Sequence, residues 1–285
     1  MKRLLLSLVL LLVCCGCVNT QSTAYPIGYS VTKWGTEFVL DIELPDFPDK
    51  LNYYSAVRPE ISADWVQAIG GKLEIRDVAG FTGDEHKIVM SQGDESVEVF
   101  ASTASINIRG IHFARWTAGE SISSEDAAVI GEEFIKYLGL WSDDMQLNEV
   151  APRYGGSIKE EWGVWFNQYI DGYPLVGGPK NLHVLVNMYG TVLGSGIWKL
   201  ELEKAGEISC VNARQAYERM LSGDALEFAV TPETAIHINS ASLGYYLESQ
   251  TELQEYVMPV YVFKGERVRW DGNTEIFRCY VKAAR

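Results

Sequence analysis

Three times along the chain an isoleucine–serine pair opens a segment with helical periodicity, at Ile61-Ser62, Ile122-Ser123 and Ile208-Ser209. Serine suits a helix N-cap because its hydroxyl accepts a hydrogen bond from an amide in the first turn that has no other partner. The preceding isoleucine can then staple against Val66, Ala127 or Ala213, four residues beyond the cap. In the second segment the stripe Ala127, Ile130, Phe134, Leu138 runs to Gly139, and in the third Ala213, Ala216, Tyr217, Met220 runs toward Gly223. Both glycines predict left-handed C-caps. The first helix is predicted to be shorter, stopped by Gly70-Gly71.

Alternating, strand-like runs follow each helical segment. The first has KIVM (87–90), VEVFA (97–101) and INIRGIHF (106–113), and the second has GVWFNQYI, the hairpin signal Asp171-Gly172 and LHVLVNM. The third has AIHIN (235–239), YVMPVYVF (256–263) and, after Asp271-Gly272, EIFRCYVKA (275–283). YSVTKW and EFVLDIEL, ended by Pro45 and Pro48, predict a strand pair completing an N-terminal lobe. The expected fold class is α+β: tandem units of one helix packed on an antiparallel sheet, mostly β by residue count. The spacing of the three serines is unequal, which argues for tandem domains and against a solenoid of fixed period. The expected units span residues 26–115, 116–205 and 206–285.

Lys2 and Arg3, then the apolar run Leu4–Val13 broken only by Ser7, have the layout of an export signal. The run is shorter than the ~20 residues of a spanning helix. Gly16-Cys17 resembles a lipobox, in which a small residue precedes the cysteine that takes diacylglycerol; Cys14 stands where Leu or Val is usual. The expectation is a signal peptide over 1–16, lipidation with palmitate-type chains at Cys17, a polar tether over 17–25, and an extracytoplasmic protein anchored to the membrane. A cleaved secretory signal is the alternative, and it also exports the chain.

The formal net charge is −14, and removal of Lys2 and Arg3 with the signal would make it more acidic. Such a chain repels phosphate polymers, so nucleic acid is not an expected partner. With Cys17 acylated, Cys210 and Cys279 remain and form the disulfide candidate, two buried free thiols being the alternative.

The stretches WGVWFNQYIDGYPLVGG (162–178) and LHVLVNMYGTVLGSG (182–196), behind the helix opened by Ser123 and Ala127, resemble a PepSY-type domain. INSASLGYYLE and MPVYVF, within 238–263, are similar to the C-terminal parts of YycI-type two-component regulatory proteins. The resemblance covers roughly 115–285, with a fainter echo over 50–113. It implies a noncatalytic extracytoplasmic module that binds or restrains an envelope protein such as a peptidase or a sensor kinase. YycI relatives carry a membrane-spanning helix where this chain has its lipobox.

Reactive constellations are scarce. The four histidines, at 86, 112, 183 and 237, form no H-E-x-x-H, and there is no C-x-x-C, G-x-S-x-G or Walker loop. Pairing of a cysteine with His183 or His237 has no protease signature around it, and no cofactor or metal is expected. Asp143-Asp144 and Glu160-Glu161 are adjacent carboxylates that point apart on a strand, which weakens a hydrolase reading. Asp271, Asn273 and Glu275 alternate as in a calcium loop, although Asp-Gly reads first as a hairpin turn. Among the aromatics, Trp165, Tyr169 and Tyr173 share strand parity and form a candidate ligand face for a peptide or glycan, with Trp162 and Phe166 opposite.

Overall fold

The computed structural model describes residues 25–57, 60–77, 79–81, 87–155, 158–177, 182–228, 234–248, 254–269 and 271–285. Cys17, the signal segment and His86 lie outside the described residues. The elements in chain order are β1 (Tyr29–Lys33), β2 (Thr36–Leu40), β3 (Lys50–Ala56), α1 (Ala63–Lys72), β4 (Gly80–Phe81), β5 (Lys87–Gln92), β6 (Glu95–Phe100) and β7 (Ile106–Arg109). There follow α2 (Ser124–Leu138), β8 (Met145–Gly155), β9 (Ile158–Ile170), β10 (Tyr173–Val176), β11 (Leu182–Asn187), β12 (Val192–Ile197) and β13 (Leu202–Ser209). The chain ends with α3 (Ala213–Ser222), β14 (Ala235–Tyr246), β15 (Tyr256–Val268) and β16 (Thr274–Lys282).

Local chemistry sets the helix ends. Ser62 Oγ accepts from the Trp65 amide at 3.2 Å, and Ser123 forms a reciprocal capping box with Asp126. Gly139 and Gly223 both take the left-handed conformation, as their positions in the stripes predict. The third N-cap differs from expectation: it is Asn212, whose side chain accepts from the Gln215 amide at 2.8 Å while Gln215 answers with its own side chain. Ser209 is held in β13 opposite Lys50, and the Cys210 amide donates to the Asp49 carbonyl. Pairing keeps this stretch extended until the next polar residue can start the helix. Gly70-Gly71 does not stop α1, which runs on to Lys72. Gly70 serves packing, because a Cβ there would collide with Met90 Sδ.

The expectation of three tandem units, each a helix on its own antiparallel sheet, is overturned. Sixteen strands are linked in one mixed sheet, with three helices among the described residues. Helices α1 and α2 share a single core: Val66 and Ile69 of α1 and Ala127, Ile130, Phe134 and Leu138 of α2 pack with Ile88, Val99, Ile106, Val164 and Val184. Lys72 Nζ donates to the carbonyls of Tyr137 and Leu138, both at 3.0 Å, and the Tyr137 hydroxyl donates to the Lys72 carbonyl. The two helix C-termini are thus tied together.

The second core gathers Phe38 and Leu40 of β2, Leu51 of β3, Ala216, Tyr217 and Met220 of α3, and Ile236, Phe263 and Phe277 of the last strands. The strand pair β1–β2 therefore does not complete an N-terminal lobe: β2 pairs in parallel with β14 through Ile236↔Phe38 and Ile238↔Leu40, and β3 lies between β13 and β15. The physical reason is edge and face burial. A ten-residue helix over three short strands leaves open edges and a small core, and distant strands of the same chain fill those edges.

Candidate binding cleft between the two lobes

The β9–β10 hairpin joins the lobes. Asp171 and Gly172 both have positive φ, 52° and 81°, the backbone of the two-residue turn that Asp-Gly favours. Asp171 Oδ2 accepts from Tyr54 OH at 2.6 Å, Asn52 Nδ2 at 2.8 Å and Tyr245 OH at 3.4 Å. A turn at the tip of the N-terminal lobe is thereby latched onto β3 and β14 of the other. Burial acts to raise the Asp171 pKa, but the hydrogen bonds from Tyr54, Asn52 and Tyr245 outweigh it and hold the carboxyl below its usual value. Burial and the bond to Asp171 push the Tyr54 phenol up to about 12. Strand β10 then pairs in parallel with β14 at Leu175↔Tyr245 and Val176↔Tyr246, which carries the sheet into the C-terminal lobe.

Alternation divides β15 and β16 into two faces. Tyr261, Phe263, Phe277, Cys279 and Val281 face α3. On the other face Val260, Val262, Tyr246 and Tyr280 form a small cluster, covered in part by Leu226. The remainder of that face opens into a cleft between the lobes with a volume of about 120 Å³. Trp165, Asn167, Asn148 and Glu149 line it from the N-terminal lobe, and Ser242, Lys264, Arg278 and Tyr280 from the C-terminal lobe. Trp198 also lines it and is buried, and its indole N–H has no hydrogen-bond partner.

Lys264 and Arg278 stand directly opposite each other on β15 and β16. Neither makes an ion pair among the described residues, although like charges placed opposite each other on a sheet destabilise it. Lys264 remains accessible, and its ammonium is pushed below its ordinary value first by desolvation and then by the Arg278 charge. Burial raises the Tyr280 phenol, with Arg278 acting the other way. Arg278 hydrogen-bonds the Tyr280 side chain and Glu149 lines the same cleft, but neither cation is closed off in an ion pair among the described residues.

The candidate ligand face is only partly assembled. Trp165 lines the cleft, its ring lying over Gly163, and Tyr169 pairs with Pro174 on the same side. Tyr173 pairs with Ile170 and therefore points away from the Trp165 side, packing against the cluster that includes Tyr54, Tyr245 and Val257. Parity counted through residue 173 fails because the chain reverses at Asp171-Gly172. Phe166 enters the shared core, and Trp162 packs against it with its indole N–H donating to the Ile122 carbonyl at 3.4 Å.

Cys210 and Cys279 are buried free thiols, so the candidate bridge between them is not formed. Cys279 faces α3 from β16, whereas Cys210 sits in the bend before α3, its carbonyl accepting from Arg285 Nε at 2.9 Å. Desolvation pushes the Cys279 thiol up to about 12. His237 Nδ1 pairs with Asp41 at 2.9 Å, and His183 pairs across strands with Trp165. Asp144 accepts from Ser142 and from Gln168, at 2.9 Å for the latter, and Glu161 pairs with Arg153 at 2.9 Å. Asp271 closes its turn by accepting from the Asn273 amide, and Glu275 is held by Arg269 at 2.8 Å. Among the described residues no group of three or more His, Cys, Asp and Glu side chains gathers as a metal site would require.

Sequence reasoning missed Lys264, Arg278 and Trp198. The available signal was a cation interrupting an apolar run, in VYVFKG and IFRCYV. Their apposition depends on a register that neither strand encodes alone.

No family model and no curated protein matches the chain. A solved structure of the Bacillus megaterium YpeB C-terminal domain matches with a TM-score of 0.39 at 13% identity, over 79% of this chain and 94% of that one. The YycI-type part of the resemblance gains no support from the matches. An uncharacterized protein from Eubacterium rectale matches with a TM-score of 0.50 at 10% identity, over 91% of this chain and 92% of that one, so the two are similar in overall fold.

Proposed function

We propose that this chain is an extracytoplasmic, lipid-anchored binding module, attached through Cys17, that holds a segment of an envelope protein in the cleft between its lobes. One observation carries the reading. The helix-free face of the C-terminal sheet meets the N-terminal wall at Trp165 and presents two cations that have no carboxylate partner among the described residues. The PepSY-type resemblance of residues 162–196 agrees with a noncatalytic role beside a peptidase or sensor-type partner. Capture of free peptides or glycans is the competing use of the same cleft, since Trp165 offers an aromatic surface there.

The test is site-specific photo-crosslinking in cells. A crosslinker replaces Ser242 or Asn167 in the cleft, or, as a control, Val129, which is exposed on α2. The expected result is one envelope protein captured from the cleft positions and absent from the control. Mass spectrometry of the same material reports the N-terminal modification. Equal capture from all three positions, or none from the cleft, would overturn the reading.

A further inference from the structure

The geometry points to an extended polypeptide segment bearing a carboxylate side chain as the ligand of the cleft, seated on Lys264 and Arg278 with an apolar neighbour against Ile276. This rests on the binding role proposed above and names the chemistry recognised. Three observations carry it. The first is charge complementarity: in a chain of net charge −14, two cations are apposed in register with no ion-pair partner among the described residues. A bound carboxylate would relieve their repulsion and accept charge-assisted hydrogen bonds from both.

The second is spacing. Ile276, 82% exposed, Arg278 and Tyr280 lie on one face of β16 at alternate positions. That repeat, about 6.6–6.8 Å, is the distance between same-side side chains of an extended peptide. The third is the supply of donors and a strand edge. The buried indole N–H of Trp198 has no partner. The bulge between Leu147 and Glu149 leaves Asn148 without a partner in the β8–β9 register where it lines the cleft, and among the described residues β8 pairs with β9 alone, so it presents a strand edge of the kind that recognises extended peptides. A sugar polymer can accept from these donors but does not present side chains at that two-residue repeat.

The experiment uses the full-length protein with three fluorescent probes: a capped peptide of alternating Val and Glu, the same peptide with Gln for Glu, and polygalacturonate. Anisotropy should show the Glu peptide binding about tenfold or more tighter than the Gln peptide, with the difference shrinking as salt rises. The Lys264→Gln/Arg278→Gln variant should lose that preference without a fall in melting temperature. The Lys264→Glu/Arg278→Glu variant should instead prefer a Val-Lys peptide. If a variant fails to fold, the Glu-against-Gln comparison on the unaltered protein still decides. Equal binding of the two peptides, binding of polygalacturonate alone, or no binding at all would overturn the inference. Glu-selective peptide binding without cleft-specific capture in cells would sink the partner reading and leave the ligand chemistry standing.

Discussion

On the helix-free face of the N-terminal lobe, charges meet opposite charges across strands: Lys87 lies 3.9 Å from Glu98, and Arg153 lies 2.9 Å from Glu161. On the corresponding face of the C-terminal lobe, Lys264 meets Arg278. The first arrangement is what a solvated sheet surface needs, since opposite-sign cross-strand pairs contribute a few tenths of a kcal/mol and like-sign pairs cost about as much. The second is out of place on those terms. The two lobes thus differ in that one helix-free face carries cross-strand pairs of opposite charge and the other apposes two like charges. They also differ in assembly. The N-terminal core comes mostly from contiguous sequence, and the C-terminal core joins β1–β3 to β13–β16 across the whole chain.

The comparison can be broken most forcefully at the cores. Phe134 of α2 is fully buried in the core that α1 and α2 share, and Phe134→Ala should destabilise the protein by about 3–5 kcal/mol in chemical denaturation. Because the sheet is continuous, tryptophan fluorescence and far-UV circular dichroism should report a single shifted transition. Two separated transitions would show that the lobes unfold independently.

A smaller effect belongs to the latch between them. Asp171→Asn keeps a residue that tolerates positive φ but weakens the bonds from Tyr54 and Asn52. At this exposed site the expected cost is about 1 kcal/mol. Because the folded carboxyl lies below its usual value, its contribution is full above the unfolded pKa of about 3.9 and is lost as pH falls through the lower folded value. The wild-type protein should therefore lose its advantage over Asp171→Asn in acid melts below about pH 4. A gap that persists there would assign the difference to shape and not to charge.

Caps come next. Asn212→Ala should cost about 1 kcal/mol and Ser209→Ala much less, because only Asn212 satisfies an amide of α3. Equal losses in thermal melts would contradict the observed helix start. The smallest effects sharpen the surface comparison itself. Arg278→Gln should leave the melting temperature unchanged or raise it slightly at low salt, while Arg153→Gln should lower it slightly. Opposite signs in the two lobes are the expected signature.

Much of the local structure was legible. Serine before an apolar stripe located α1 and α2, glycine after the stripe marked two helix ends, and alternation located β5, β6, β9, β11 and β14–β16. The candidate site was legible only in part. Trp165 was visible as an aromatic on a strand, but Tyr173 was assigned to its side by a parity that the hairpin inverts. Ser209 looked like a cap because nothing nearby shows that β13 claims it through Lys50. Each of these errors comes from a partner distant in sequence.

By itself the amino-acid order determined the three helical segments and many of the extended ones, the helix ends at Gly139 and Gly223, and that Asp171-Gly172 reverses the chain, because these follow from dihedral preference and the period of apolar side chains. Only the tertiary structure decided that α1 and α2 share one core, that β2 joins β14, and that Lys264 faces Arg278. Those outcomes depend on which open edges and apolar faces find each other, a competition among distant segments settled by the surface they bury together.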